Sequence, residues 1–158
     1  MKARELMTSI PEAVTPGQPV SDAAEIMADL DVGCVPVVDS PESMRLVGAV
    51  TDRDLAVRHV GRGHGPGCRI RDHMTAREGT DRFVTVRPDD TVEHVLEQMA
   101  RHQLRRVPVV RNDDHELVGI IAQADVVRSL GPGHPHQVEQ LLDAISRPTA
   151  QRSVVQES

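Results

Sequence analysis

The sequence predicts a mixed α/β (α+β) protein that contains two copies of one strand–helix–strand–strand–helix unit. The first observation is an internal repeat, because residues 14–58 and 86–128 follow one pattern. Four residue pairs share a separation of 72 positions: Val20 and Val92, Met27 and Met99, Pro16 and Pro88, and Pro36 and Pro108. The second and third observations are an apolar stripe at helical spacing and two β-branched runs in each copy.

The first helix of each copy is predicted from apolar residues that recur with a period of 3.6. These residues are Val20, Ala23, Ala24, Met27 and Leu30 in copy one, and Val92, Val95, Leu96 and Met99 in copy two. Asp90 is predicted to cap the helix of copy two, and Pro19 is predicted at the first helical position of copy one.

Two strands and a second helix are expected to follow in each copy. Residues 34–38 and 106–110 are β-branched runs that end in turn-forming residues, and the partner strands fall at 46–51 and 117–121. The second helix is predicted to begin near Asp52 in copy one and near Gln123 in copy two. Between the two strands the separation of the copies falls to 71 residues, so one turn is a residue shorter.

A weaker sequence similarity precedes each copy, since residues 4–8 resemble residues 71–75. We therefore expect the repeated unit to begin upstream of its first strand. The predicted division is repeat one at 1–60, a glycine-rich flexible linker at 61–69, repeat two at 70–130, and a short helix with a flexible tail at 131–158. The apolar residues of that last helix are Val138, Leu141, Leu142 and Ile145.

Composition excludes several classes of protein. With 18 Lys and Arg against 24 Asp and Glu, the net charge of −6 argues against nucleic-acid binding, which needs a basic face. Phe83 is the single aromatic residue, so no stacking platform for bases exists. The 158 residues contain neither a membrane-length apolar run nor a signal peptide, which predicts a cytoplasmic protein with no membrane contact.

Cysteine and histidine spacing predicts no metal site and no disulfide framework. Cys34 and Cys68 do not form a Cys-x-x-Cys motif, and the eight histidines contain no His-Glu-x-x-His motif. Cys34 is interpreted as a buried small apolar residue, whereas Cys68, in the polar linker, is the more reactive thiol. No cofactor is expected to be required.

The candidate binding residues lie where the second strand of copy one meets its second helix. In the sequence from Gly48 to Asp54, Thr51 stands at the cap position and Asp54 stands in the first helical turn. Free amides and a hydroxyl at such a junction can bind a phosphate, and the Asp54 carboxylate can accept two hydrogen bonds from a vicinal diol. The alternative is a capped helix with an acidic first turn and no ligand.

Two repeats with an h-Pro-Val strand (h, apolar) and a Gly-h-h-x-x-x-Asp junction resemble a tandem pair of CBS domains, the cystathionine β-synthase-type modules. The resemblance extends from residue 4 to residue 130 and includes short bacterial proteins of the hypoxic-response and general-stress type. It implies a Bateman module, in which two βαββα units pack with pseudo-twofold symmetry. It also implies two clefts that bind AMP, ADP or ATP, and a homodimer that acts on an unknown protein partner.

The resemblance assigns roles to individual residues. Thr51 would bind phosphate, Asp54 the ribose, Arg105 and Arg106 the phosphate from the other repeat, and Val84 the adenine. The alternative for the arginines is an exposed pair before an edge strand.

In copy two Asp125 is retained, but Ala122 replaces the hydroxyl residue. Gly33 and Cys34 stand where copy two has its arginines, so no arginine is expected in the Asp125 cleft. The sequence therefore predicts one competent site and one weaker site.

These residues leave three functions to consider. The favoured one is a non-catalytic energy or stress sensor that binds an adenosine nucleotide, with Mg²⁺ held between the phosphate and the carboxylates of Asp52 and Asp54. The alternative is a ligand-free protein for dimerisation or partner docking. An enzyme is disfavoured, because no nucleophile with a positioned base is found.

Overall fold

The computed structural model describes residues 1–9, 11–76 and 83–146. The α-helices are α1 Ala3–Leu6, α2 Val20–Leu30, α3 Val92–His102, α4 Gln123–Leu130 and α5 Pro135–Ser146. The strands are β1 Thr8–Ser9, β2 Cys34–Val38, β3 Leu46–Thr51, β4 Thr75–Ala76, β5 Arg106–Arg111 and β6 Glu116–Ala122. A π-helix spans Asp54–His59, and 3-10 helices span Val60–Arg62 and Ile70–Asp72.

The long helix of each copy has the predicted position but begins one residue away from the predicted cap. Thr91, not Asp90, caps α3, and its hydroxyl accepts a hydrogen bond from the His94 amide at 3.3 Å. The Asp90 carboxylate instead accepts from the Arg87 amide at 2.7 Å. Pro19 is the N-cap of α2, not its first helical residue. The repeat therefore predicts element positions better than element ends.

Each copy contributes one antiparallel hairpin to a three-stranded sheet. The hairpin of β2 with β3 and the hairpin of β5 with β6 each contain one register shift, after Val37 and after Val109. The first strand predicted for each copy is reduced to a single parallel bridge, Val14 with Val37 and Val86 with Val109. Valines bury on both sheets because branched side chains pack well on a pleated surface.

The two similar segments at residues 4–8 and 71–75 each lead into a short strand that joins the sheet of the other repeat. β1 pairs with β6 of the second copy, and β4 pairs with β3 of the first copy. Their neighbours follow them, since Ala3 is buried in the core of the second copy and Ile70 in the core of the first. The sequence predicts an upstream start for each unit but not this exchange.

The two sheets meet through a reciprocal pair of hydrogen bonds. The Leu46 amide donates to the His115 carbonyl at 3.0 Å, and the Leu117 amide donates to the Met44 carbonyl at 2.8 Å. Both pairs occupy equivalent positions of the repeat. Buried side chains from both sheets form one apolar cluster at this contact: Val38, Leu46, Val110 and Leu117. The predicted α/β (α+β) class, with two repeats related by a pseudo-twofold axis, is confirmed.

The C-terminal helix α5 packs on α3 and buries Leu141 in the core of the second copy. The predicted amphipathic helix is thus present. The side chain of Ile145 and the predicted flexible tail from Gln151 lie outside the described residues. Within residues 1–9, 11–76 and 83–146, no helix is both long enough and apolar enough to cross a membrane.

Candidate functional site

At the end of β3, Thr51 and Asp54 form a closed pair of hydrogen bonds. The Thr51 amide donates to Asp54 Oδ2 at 3.0 Å, and the Asp54 amide donates to the Thr51 hydroxyl at 3.1 Å. Asp54 is buried, and its Oδ1 lies 3.6 Å from Nη1 of the exposed Arg58. The Asp52 amide donates to the Gly33 carbonyl at 2.9 Å, which attaches the junction to the strand beside it. Both predicted residues are therefore held in place before any ligand binds.

The equivalent junction of copy two keeps half of this arrangement. The Ala122 amide donates to Asp125 Oδ2 at 2.9 Å, and Arg128 forms an ion pair with Asp125 Oδ1. The methyl group of Ala122 supplies no hydroxyl for a reciprocal bond or for a phosphate. The two junctions therefore differ in their hydrogen bonds at the position where their sequences differ.

A cavity of about 440 Å³ lies between the repeats on the Asp125 side. Copy one lines it with Pro11 and Cys34, whereas copy two lines it with Arg106, Ala122 and Asp125. Its volume falls in the range of roughly 300–1,000 Å³ that small-molecule sites occupy. A ligand in this cavity would touch both repeats at once.

The expectation that no arginine reaches the Asp125 cleft is wrong, because Arg106 lines it. The reason is the strand register: Arg106 on β5 stands directly opposite Ala122 on β6, so their side chains share one face.

The Arg106 guanidinium also lowers the pKa of the Cys34 thiol. Burial outweighs this effect and raises that pKa to about 11, with the carboxylates of Asp54 and Asp52 adding to the increase. Cys34, opposite Thr51 in the register of β2 with β3, is therefore a neutral thiol between the two junctions.

The remaining predicted residues occupy different surroundings. Arg105 is exposed, and its carbonyl accepts a hydrogen bond from the Gln123 amide at 2.8 Å. Val84 is half-buried in the stretch that enters copy two, next to Phe83, which packs against the apolar cluster between the sheets. Contact of Arg105 and Val84 with a ligand stays a prediction.

The structure gathers a second group of polar side chains that the sequence analysis missed. His59 and His73 are buried, with Nδ1 of His59 and Nε2 of His73 3.1 Å apart. The ligating atoms of these two residues and of Cys68 all lie within 4.8 Å of one another. Burial lowers the pKa of His73, and the imidazoles of His59 and His64 lower it further. The sequence spacing of these residues matches no standard metal motif. They come together only when the linker folds.

Three comparisons place the chain among known proteins. The family model described as "CBS domain" matches residues 3–60 and 71–131. The uncharacterized protein YlbB of Bacillus subtilis is 40% identical over 79% of this chain and 79% of its own. Hypoxic response protein 1 of Mycobacterium tuberculosis is 30% identical over 94% of this chain and 96% of its own.

Two solved structures have the same architecture. The crystal structure of hypoxic response protein I with two coordinated zinc ions gives a TM-score of 0.69 at 29% identity, covering 81% of this chain and 98% of that one. The structure of CBSX2 of Arabidopsis thaliana in complex with AMP gives a TM-score of 0.67 at 28% identity, covering 81% of this chain and 94% of that one.

Proposed function

Because the chain belongs to the CBS-domain family and forms a CBS pair, a regulatory module, we propose that it binds an adenosine nucleotide between its two repeats. Its role would be that of a non-catalytic energy or stress sensor for AMP, ADP or ATP. The observation that carries the proposal is the cavity of about 440 Å³ that both repeats line at the Asp125 junction, which is the repeat-related equivalent of the Thr51 and Asp54 junction. The AMP held by the CBSX2 neighbour supports the choice of ligand.

The primary site is proposed at Thr51 and Asp54. The Thr51 hydroxyl accepts the Asp54 amide but keeps its own proton, which it can donate to a phosphate oxygen. Arg106, and Arg105 beside it, would supply charge-assisted contacts to that phosphate. Asp54 would accept the ribose hydroxyls, and Val84 would contact the adenine.

The second, weaker site is proposed at Asp125. It has a carboxylate for the ribose and Arg106 along its wall, but Ala122 gives the phosphate no hydroxyl. Arg106 would then contribute to both proposed sites, and the two sites would compete for it. A nucleotide in the primary cleft would then weaken binding in the other.

The regulatory output follows from differential affinity. A nucleotide that touches both repeats favours the arrangement in which its contacts are best, and shifts the equilibrium only by that difference in affinity. Mg²⁺ is proposed as a companion of the phosphate at Asp52 and Asp54. A homodimer, an unidentified protein partner, a cytoplasmic location and the absence of nucleic-acid binding stay predictions.

Calorimetric titration of the full chain with AMP, ADP, ATP and adenosine tests the proposal. Binding should require Asp54, so Asp54→Ala should abolish the strong heat signal, whereas Asp125→Ala should change the affinity little. Circular dichroism should show that both variants keep the fold. Equal losses in the two variants would contradict the one-site model. No binding of any nucleotide to the wild type would favour the ligand-free interaction protein.

A further inference from the structure

The buried group around His59 differs from the nucleotide site in position and in chemistry. His59 ends the π-helix, Cys68 lies in the linker, and His73 follows the 3-10 helix Ile70–Asp72. Relative exposure is 3% for His59 and 6% for His73, so both imidazoles are withdrawn from water. Three potential ligands from three separate segments therefore converge on one point.

The distances suit a tetrahedral ion. Two nitrogens at zinc-bond length from one tetrahedral ion lie roughly 3.3 Å apart. The ring nitrogens of His59 and His73 are separated by 3.1 Å, and Cys68 Sγ lies within 4.8 Å of both. A hydrogen bond between the two imidazoles explains their approach, but it does not explain the thiol placed beside them. Neutral imidazole and thiolate together are ligands that Zn²⁺ prefers.

His64, also in the linker, is a candidate for a fourth ligand. Its ring centroid lies 5.2 Å from that of His73 and 5.7 Å from that of His59. His64 is exposed, and with His59 it lines an apolar cavity of about 490 Å³ that opens to the surface. A four-ligand site requires this exposed side chain to turn its ring nitrogen toward the other three ligands.

We propose that His59, His64, Cys68 and His73 form a structural Zn²⁺ site. The Cys68 thiol releases its proton to solvent as the sulfur binds the ion. Four protein ligands close the coordination sphere, which is typical of a structural site and leaves no position for a catalytic water. The proposal rests on these side chains alone and is independent of nucleotide binding.

The site would join the linker to the first repeat. The Cys68 carbonyl accepts a hydrogen bond from the Val20 amide at 2.8 Å, at the start of α2. His73 immediately precedes the segment that leads into β4, the exchanged edge strand on β3. Zinc bound here would hold α2, the π-helix and β4 together, so its binding free energy becomes part of the stability of that repeat.

Titration of the chelator-treated full chain with Co²⁺ tests the ligands directly. We expect one equivalent to give the strong visible absorption of a tetrahedral ion and a near-ultraviolet thiolate-to-cobalt band. Cys68→Ser should remove the thiolate band and weaken binding by at least about tenfold, whereas Cys34→Ser should keep both. His73→Ala should weaken binding in the same way, and His94→Ala, at an exposed site on α3, should not. A weak octahedral spectrum in the wild type would overturn the proposal.

A second measurement does not depend on removing a buried histidine. In Cys34→Ser, Cys68 is the remaining thiol, and its alkylation rate can be followed with and without one equivalent of Zn²⁺. We expect zinc to slow alkylation at least about tenfold. Equal rates would show that the sulfur does not bind zinc, and the histidine contact would then be a hydrogen bond only.

Discussion

Thr51 and Asp54 each donate a backbone amide to the other's side chain, at 3.0 and 3.1 Å. In copy two, the Ala122 amide still donates to Asp125, but no hydroxyl returns the bond. The capped helix and the phosphate site, which the sequence leaves as alternatives, therefore involve the same atoms. A ligand would add to the cap rather than replace it.

The cap predicts opposite effects for a matched pair of substitutions. Thr51→Ala should lower the free energy of unfolding by about 1 kcal/mol, because the Asp54 amide loses its acceptor. Ala122→Thr should raise it by about 0.5–1 kcal/mol, because Ala122 borders a cavity with room for a hydroxyl at the equivalent cap. Urea denaturation followed by circular dichroism measures both. A loss of stability in Ala122→Thr would contradict the equivalence of the two junctions.

The exchanged edge strands make the two junction glycines unequal. A Cβ at Gly48 would lie 2.5 Å from the Thr75 carbonyl oxygen, whereas a Cβ at Gly119 would meet only side-chain atoms of Met7, with the sulfur at 2.5 Å, Cγ at 2.8 Å and Cβ at 3.0 Å. A backbone oxygen in a strand cannot move as a flexible methionine can. Gly48→Ala should therefore destabilise the chain by about 1–3 kcal/mol, and Gly119→Ala by clearly less, in the same denaturation assay. Equal losses would mean that Met7 is as fixed as β4.

The repeat makes most of the fold predictable, since one pattern read twice gives the same elements twice. The exchange of edge strands was not predictable, because strands of two residues such as Thr8–Ser9 are too short to show a period. The π-helix Asp54–His59 was also missed, although the equivalent α4 is a regular helix.

The junction residues could be predicted because strand end, cap and first turn are consecutive in sequence. That Arg106 lines the Asp125 cleft was not predictable, since this depends on which residue stands opposite it across the sheet. The group of His59, Cys68 and His73 has no regular spacing. These three residues come together because a loop and a 3-10 helix bring the chain back to the same place. No local sequence pattern predicts this approach.

Arg106 should discriminate between ligands by charge. Arg106→Ala should weaken binding of AMP by roughly tenfold or more, and binding of adenosine much less, because only AMP has a phosphate for the guanidinium. Calorimetric titrations of both ligands measure the difference. Arg111 is a suitable control, since this exposed arginine is paired with Glu116 on the same hairpin. A matched loss for AMP and adenosine would exclude the phosphate role.

Cys34 should react slowly with alkylating reagents. With a pKa of about 11, roughly one Cys34 in a thousand is a thiolate at pH 8, and the rate should rise about tenfold per pH unit up to pH 10. Mass spectrometry of Cys68→Ser, in which Cys34 is the remaining thiol, gives this rate. Arg106→Ala in the same background should slow the reaction, because the guanidinium that lowers the pKa is gone. A rate that does not rise with pH over this range would contradict the raised pKa of this thiol.

The exposed apolar residues beside α2 predict a contact between two chains. Val60 is 66% exposed and lines the apolar cavity next to α2. If the predicted homodimer forms through this surface, Val60→Lys should shift it toward monomer in light scattering, since a charge on an apolar interface opposes association. Leu142→Lys is the matched control, because Leu142 is an exposed leucine on α5. Unchanged mass in both variants would place any self-association elsewhere.

The position of α5 makes the two repeats differ in the helix face that they expose. It covers the face of α3 at Leu96 and Ala100, whereas the equivalent face of α2, at Ala24 and Ala28, stays uncovered. A molecule with both faces bare could join head to tail into an open filament. Because α5 already occupies one of these faces, a pair of chains joined through the other face would have no second face of this kind from which to extend.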